Sequence, residues 1–283
     1  MARPTGSYRN RLSSVRGKSL NETSEARDQF DKRSRPWTLT RTGGGFFALG
    51  ALMDKHSGLP QMWSDLPPGA RAALTEQWAG LAAGGLPCGS AIVDAHGHII
   101  ASGRNHSYDP AGAIETRMRY ALQHNRLAHA ELNALARIPT EVDHSTLTLW
   151  STQHPCSMCA AAVAFVGIGN VHFVADDPSD HSPTDRIFAT RAGVPYQPLR
   201  DPLWWTVSNV LFLYNSAARE GEHATNIATN RSRLPALVDV TLELARNDVL
   251  GVPARSDVGL PGALVPHLAA LTRVAGMTRV TGT

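Results

Sequence analysis

The sequence predicts an α/β fold in three layers, with a mixed β-sheet covered by helices on both faces. Short β-rich stretches alternate with Ala-rich stretches in the order helix, strand, strand, helix, strand, helix, strand. A turn at Ala95–Gly97 joins the first two strands as a hairpin. A helix joins the last two strands, which favours parallel pairing.

The elements are expected in the following order. Residues 67–85 contain helix formers and end at a glycine. The hairpin strands are Ala91–Val93 and His98–Ala101, and residues 111–139 are helical in composition with a break near 125–128. Residues 145–152 form a strand, residues 156–169 a helix and residues 170–177 a further strand. Beyond Pro183 the pattern is purely helical.

This order predicts four segments along the chain. Residues 1–41 form a basic, disordered tail, and residues 42–66 are a Gly-rich lead-in. Residues 67–183 carry the α/β domain, which we expect to have helical N- and C-terminal extensions. Residues 184–283 form the C-terminal extension. The sequence patterns leave open whether this extension packs on the sheet or forms a separate helical domain.

Composition excludes several classes of protein. Apolar residues make up 42% and charged residues 18% of the chain, as in an ordinary soluble globular protein. No apolar run is long enough to span a membrane, and the first residues lack the apolar stretch of a secretory signal. Three cysteines argue against a disulfide scaffold. We therefore expect a cytoplasmic protein with no membrane partner.

Charge is distributed unevenly along the chain. Residues 1–41 contain ten Lys/Arg and four Asp/Glu, whereas the remainder contains 17 and 20. A basic tail can contact nucleic acid, or it can simply be solvated. The body of the protein is slightly acidic.

Two of the three cysteines, Cys156 and Cys159, follow Pro155 at the start of a predicted helix. Residues three apart share one helix face, so both sulfurs can reach one point. Free N–H groups and the helix dipole favour thiolates there, and thiolates are zinc ligands. A second Cys-x-x-Cys pair is missing, which favours a catalytic zinc with three protein ligands and a water molecule.

The stretch "AHAELNALA" completes this metal site. His129 at its start supplies the third ligand, and Glu131 lies two residues further on in the first helical turn. A carboxylate beside a zinc site can take a proton from water and return it to the substrate. We therefore predict His129, Cys156 and Cys159 as zinc ligands and Glu131 as the catalytic acid–base.

Together, "HAE" at 129–131 and "PCSMC" at 155–159 resemble the zinc-dependent cytidine deaminase-like superfamily. Met158 makes the motif similar to the branch of tRNA adenosine, guanine and fungal-type cytosine deaminases. The resemblance covers residues 67–183. It implies a cytidine deaminase-like fold, zinc, and hydrolytic loss of an exocyclic amino group as ammonia.

The resemblance also suggests substrate contacts. Asn105 closes the first hairpin and corresponds to a base-contacting residue, although Asn also caps turns. The backbone near Ala130 is expected to orient the ring. His154 stands where relatives often have Glu, and it either contacts substrate or is structural. Relatives in this branch are commonly homodimers, so we expect one here.

Three functions remain open at this point. The first is deamination of a nucleobase, nucleoside or related small aminated heterocycle, for which residues 106–128 and the extra helices would enclose a pocket. The second is adenosine-to-inosine deamination of tRNA, assisted by the basic tail. The third is a non-catalytic module with a structural zinc, in which Cys88 is a fourth ligand and not a small buried hydrophobe. His106 and His172 are expected on the hairpin or strand surface.

Overall fold

The computed structural model describes residues 58–110, 122–177 and 193–277. Its sheet has five strands, which are β1 (Gly89–Val93), β2 (Ile99–Arg104), β3 (Thr148–Gln153), β4 (Asn170–Ala175) and β5 (Tyr196–Pro198). The spatial order is β2-β1-β3-β4-β5. β1 pairs antiparallel with β2 and β3, whereas β4 pairs parallel with β3 and β5. The predicted mixed sheet, hairpin and parallel pair are confirmed.

Ten α-helices lie in the described ranges. They are α1 (Leu59–Asp65), α2 (Pro68–Ala82), α3 (Ala130–Leu135), α4 (Ser157–Val166), α5 (Pro202–Glu220), α6 (Thr225–Arg231), α7 (Pro235–Arg246), α8 (Gly251–Arg255), α9 (Leu260–Leu264) and α10 (Leu268–Met277). Short 3-10 helices occupy His144–Thr146, Gly221–His223 and Val265–His267. Within the described ranges, no helix has the length and apolarity that crossing a membrane requires.

One face of the sheet is covered by α2 and α5, whose apolar side chains share a core with the C-terminal helices. Gln77 links these two helices, because its Nε2 donates to the carbonyl oxygens of Pro87 and Ser208 at 3.0 and 2.9 Å. Asp201 caps α5 by accepting hydrogen bonds from the backbone N–H groups of Leu203 and Trp204. Of the C-terminal helices, α5 packs directly on the sheet, and α7, α8 and α10 pack on α2 or α5.

The opposite face carries α3 and α4 over a second apolar cluster. Gly103 in β2 allows α3 to approach closely, since a Cβ there would lie 2.7 Å from the backbone nitrogen of Ala134 and 2.9 Å from the carbonyl oxygen of Ala130. α4 ends at Gly167, which adopts the left-handed conformation (φ 85°) that glycine readily supplies. The first turns of α3 and α4 hold the residues that the motifs single out.

Two local expectations were wrong. The region beyond Pro183 is not purely helical, because Tyr196–Pro198 adds a fifth strand to the sheet through parallel pairing with Val171–Phe173. A strand of three residues is too short to produce a periodic pattern in the sequence. The helix expected over 111–139 is wrong for residues 122–124, whereas the break expected near 125–128 and the helix after it, Ala130–Leu135, are confirmed.

Other expectations lie wholly or partly outside the described residues. These are the tail over 1–41, most of the lead-in over 42–66, and residues 111–121 of the insert between Asn105 and His129. The proposed boundaries at 41, 66 and 183 remain predictions.

Candidate functional site

Three potential metal ligands come together at the N-termini of α3 and α4. His129 is the N-cap of α3, Cys156 is the N-cap of α4, and Cys159 lies in the first turn of α4. The Nδ1 atom of His129 lies 3.7 Å from Sγ of Cys156 and 3.5 Å from Sγ of Cys159. Pro155 lies immediately before the N-cap residue Cys156, and the first residue of α4 is Ser157.

The spacing of these donor atoms suits a tetrahedral zinc ion. With zinc–sulfur and zinc–nitrogen bonds of about 2.3 and 2.05 Å, tetrahedral geometry places nitrogen and sulfur about 3.6 Å apart. All three donor atoms lie within 4.8 Å of one another. They form the only such group with three or more donors in the part of the chain that the structure describes. The residues therefore fit the metal that the motif predicts.

The two thiols differ in acidity because one donates a hydrogen bond to the other. The bond from Cys159, assisted by His129 and opposed by burial, lowers the pKa of Cys156 to about 4. The same bond, together with burial and the charge of Glu131, raises the pKa of Cys159. A thiolate is thus already favoured at Cys156, and metal binding displaces the proton of Cys159.

Glu131 lies beside this group in the first turn of α3 and is only 6% exposed. Its Oε2 atom is 3.3 Å from Sγ of Cys159. Its other oxygen, Oε1, accepts a hydrogen bond of 2.8 Å from Oγ of Ser151. The carboxylate is therefore held at one oxygen and directed towards the metal donors with the other, as an acid–base group requires.

Ser151 is a residue that sequence reasoning missed. It lies in β3, is fully buried, and faces α3 from the same side of the sheet as Leu149. A signal for it existed in the alternation of "TLWST", where Leu149 and Ser151 share one strand face. Only the placement of α3 over that face identifies its partner as Glu131.

Two of the expected substrate-contacting residues, Ala130 and His154, lie within two residues of a metal donor in the chain, and Asn105 lies at the end of β2. Asn105 is buried at the end of the hairpin, and its Oδ1 accepts a hydrogen bond of 2.9 Å from the backbone N–H of Ser107, so it also stabilises a turn. Ala130, the first residue of α3, is fully buried. The ring of His154 packs edge-on against Phe173, with ring centroids 4.8 Å apart.

Cys88 does not belong to the group of metal donors. Its side chain packs against the core on the α2 and α5 side of the sheet. Burial, and then the charges of Glu131, Asp177 and Cys156, raise the pKa of this thiol. This surrounding supports the interpretation of Cys88 as a small apolar residue and not as a fourth ligand.

Of the two histidines expected on the hairpin or strand surface, His106 is placed differently, whereas His172 is partly exposed on its strand. His106 is 1% exposed, and its Nδ1 lies 2.9 Å from Oδ2 of Asp109, whose Oδ1 accepts a hydrogen bond of 2.9 Å from Arg104. These buried contacts fix the chain where β2 leads into the insert. His172 stacks on Trp150 with ring centroids 4.5 Å apart. His106 also exchanges backbone hydrogen bonds with Ala128 and His124, and His172 contacts a residue of the neighbouring strand. Local pattern shows neither of these contacts.

The fold and the donor group define the class of protein. A mixed sheet carries, at the starts of two helices on one face, a histidine and two cysteines with a carboxylate beside them. This is the arrangement of a zinc-dependent deaminase domain, a class of hydrolases that act on C–N bonds.

Comparison with known proteins finds a matching family model. The model of the family described as "Cytidine and deoxycytidylate deaminase zinc-binding region" matches residues 69–175. The His129–Cys156–Cys159 group, which could hold a metal ion, lies within the matched residues, and the match agrees with zinc as that metal.

Individual relatives cover only part of the chain. A cytosine deaminase of Candida albicans (strain SC5314) is 26% identical over 113 residues, a match that spans 39% of this chain and 66% of the relative. A structure from a study of A-to-I editing by tRNA deaminases at the wobble position is 23% identical with a TM-score of 0.34, covering 44% of this chain and 93% of that one. NE0047 in complex with 2,6-diaminopurine is 21% identical with a TM-score of 0.39, covering 57% and 89%.

Proposed function

We propose that this protein is a hydrolytic deaminase that removes an exocyclic amino group from a nucleobase, a nucleoside or a related small heterocycle. Water and the aminated ring give the corresponding carbonyl compound and ammonia. The observation that carries the proposal is the buried carboxylate of Glu131, whose Oε2 lies 3.3 Å from a donor atom of the His129–Cys156–Cys159 group.

The ligands that we propose for zinc are Nδ1 of His129 and the sulfurs of Cys156 and Cys159. Three protein ligands are the set typical of catalytic zinc sites, in which the remaining position would be open to water or substrate. When bound, zinc supplies the Lewis acidity that makes water an effective nucleophile near neutral pH.

Glu131 moves the protons in this proposal. Its Oε2 accepts a proton from the attacking water and delivers it to the ring nitrogen next to the amino-bearing carbon. The same oxygen then protonates the leaving amine with the second proton of the water, and ammonia departs. Ser151 holds Oε1 throughout, so the free oxygen keeps its direction towards the reacting atoms.

We propose that three groups orient the ring: the side chain of Asn105, the backbone near Ala130 and the side chain of His154. Asn105 and Ala130 are buried, and His154 is packed against Phe173, so each is held in one place. Fixed polar groups around a flat ring select it by hydrogen bonding at little entropic cost.

A small substrate is favoured over RNA by the charge of the body, which has 17 basic and 20 acidic side chains beyond residue 41. A surface that binds a phosphate backbone is normally basic. The same partition supports a second candidate, adenosine deamination in tRNA, because the ten Lys/Arg of residues 1–41 offer phosphate contacts. A non-catalytic zinc module is disfavoured because Cys88 lies outside the donor group.

The decisive experiment is ammonia release from a panel of nucleobases, nucleosides, nucleotides and tRNA, by wild-type protein and by Glu131→Gln. We expect at least one aminated heterocycle to be deaminated by the wild type, and the variant to be about 100- to 10,000-fold slower with unchanged zinc content. Equal rates for the two proteins would refute the role of Glu131.

A second measurement separates small molecules from tRNA. Removal of residues 1–41 should leave turnover of a small heterocycle unaltered. If tRNA is the substrate, the shortened protein should lose RNA affinity, and the affinity of the whole protein should fall steeply as salt concentration rises.

We further propose that the protein is cytoplasmic, as its small number of cysteines favours, and that it is a homodimer, as the sequence resemblance implies. Sedimentation of the purified chain at several concentrations tests the oligomeric state. A monomer at every concentration would contradict it.

A further inference from the structure

Tyr196 is an aromatic residue beside the candidate site that neither the motifs nor the proposed mechanism includes. It begins β5 and pairs with Val171 of β4. Its side chain packs on the apolar cluster beneath α3 and α4, so it lies on the face of the sheet that carries the metal donors. Its ring centroid is 5.5 Å from that of His154, two residues before Cys156.

The hydroxyl group of Tyr196 is buried and has no hydrogen-bond partner among the residues that the structure describes. Another tyrosine of this chain shows the ordinary arrangement. The hydroxyl of Tyr214 donates to the carbonyl oxygen of Leu244 at 3.1 Å and accepts from the backbone N–H of Leu250 at 3.0 Å. Buried hydroxyls nearly always have such partners, because an unmade bond destabilises the fold. The unpartnered hydroxyl of Tyr196, close to the proposed acid–base Glu131, therefore points to a ligand as its hydrogen-bond partner.

Electrostatics agree with this location. Burial, and then the charges of Glu131, Cys159 and Cys156, raise the pKa of Tyr196. The phenol therefore stays protonated at neutral pH and can donate its hydrogen. The same carboxylate and sulfurs that form the candidate site act on it, so the hydroxyl and the site share one neighbourhood.

We propose that Tyr196 contacts the substrate and helps to select it, by donating a hydrogen bond from its hydroxyl to a ring nitrogen or carbonyl oxygen of the heterocycle. This inference rests on the proposed deaminase function and deepens it. A ring with an acceptor on the side facing β5 gains this bond. A ring that presents a C–H group there leaves the hydroxyl unsatisfied and is rejected.

Removing only the hydroxyl tests the proposal, because the two possible roles predict opposite results. In Tyr196→Phe an unpartnered polar group is lost from the free protein, so the melting temperature should stay the same or rise. The matched control is Tyr214→Phe, which removes a partnered hydroxyl more remote from the metal donors. It should lower the melting temperature by roughly 2–8 °C and leave kcat/KM unchanged.

Ligand binding gives a readout that does not depend on turnover. Cytosine, cytidine, guanine and adenosine are titrated calorimetrically into zinc-loaded Glu131→Gln protein, with and without Tyr196→Phe. For the compounds that bind, we expect loss of the hydroxyl to weaken affinity about tenfold. In protein that retains Glu131, Tyr196→Phe should raise KM by a similar factor. The ranking of the compounds should also change.

The outcomes separate the two claims. Unaltered affinity and ranking in Tyr196→Phe, in a wild-type protein that does release ammonia, would overturn the role of Tyr196 alone. A fall in melting temperature like that of Tyr214→Phe, with unaltered binding, would do the same and assign the hydroxyl to the fold. If the Glu131→Gln protein binds none of the compounds and the wild type releases no ammonia, the proposed function is overturned, and this inference with it.

Discussion

Replacing Ser151 by Ala tests whether the direction of the Glu131 carboxylate matters for catalysis. The serine hydroxyl donates to Oε1 of Glu131 at 2.8 Å, and both side chains are buried. We assign Ser151 no contact with substrate or metal, so we expect it to affect the reaction only through Glu131. Its removal leaves the carboxylate free to rotate and takes away the donor that holds Oε1.

The magnitude follows from the kind of bond. A hydrogen bond to a charged group contributes about 1.5–3 kcal/mol. If all of it serves to hold the productive orientation, the rate falls by about 10- to 150-fold, since about 1.4 kcal/mol corresponds to a factor of ten. The loss should appear in kcat, with KM changing less than about threefold, because ground-state binding does not use this bond.

The assay is steady-state ammonia release by zinc-loaded protein, with metal content measured in each sample. Ser90 provides the matched control, because it is the cross-strand neighbour of Ser151 and equally buried, but donates to the carbonyl oxygen of Trp150 at 2.8 Å. Ser90→Ala should lower stability by about 1 kcal/mol without affecting kcat. Equal kcat values for wild type and Ser151→Ala, or a change in KM alone, would refute this reasoning.

Four further predictions concern substitutions around the site. Cys88→Ser should retain full zinc content by metal analysis, and loss of the metal would restore a structural four-ligand site as an alternative. Asp109→Ala should lower the free energy of unfolding by about 1.5–3 kcal/mol in urea titrations, because it removes the charged acceptor of buried hydrogen bonds from Arg104 and His106. In the wild type, burial disfavours charge on Asp109, but hydrogen bonds from His106 and Arg104 outweigh it and lower the pKa of this carboxyl. The ionised Asp109 therefore contributes its full stabilisation above the unfolded-state pKa of about 3.9, and this stabilisation is lost as the pH falls through the lower folded-state pKa. Asp109→Asn should accordingly lose less stability in acid than the wild type. Gly103→Ala should lower kcat by a larger factor than it lowers the equilibrium constant for folding, because the added Cβ would push α3 away from the sheet and shift Glu131. An unchanged kcat in ammonia release would argue against the close approach of α3 to β2.

The motifs were informative because the chemistry of the candidate site is local in sequence. His129 and Glu131 lie on one short helix, and Cys156 and Cys159 on another. A proline, a cap position and a spacing of three residues were enough to predict that the donors within each helix lie together. Short apolar runs beside turn residues likewise predicted β1, β2 and β4, and the alternation of Leu147 and Leu149 with polar residues predicted β3.

Residues that act through distant contacts could not be found in this way. β5 has three residues, and its place beside β4 depends on pairing between the two strands. His106 looked like a surface residue because its burial goes with backbone contacts to Ala128 and His124 across the insert, and not with an apolar neighbourhood in sequence.

The sequence by itself determined the class of fold, the zinc and the identity of the four residues proposed to bind it and to move protons, because short-range spacing on helices encodes them. Only the tertiary structure decided that Ser151 supports Glu131, that Cys88 stands apart from the metal donors, and that Tyr196 directs an unpartnered hydroxyl into the same neighbourhood. These relations join separate strands and helices, and their existence depends on how the sheet brings the segments together.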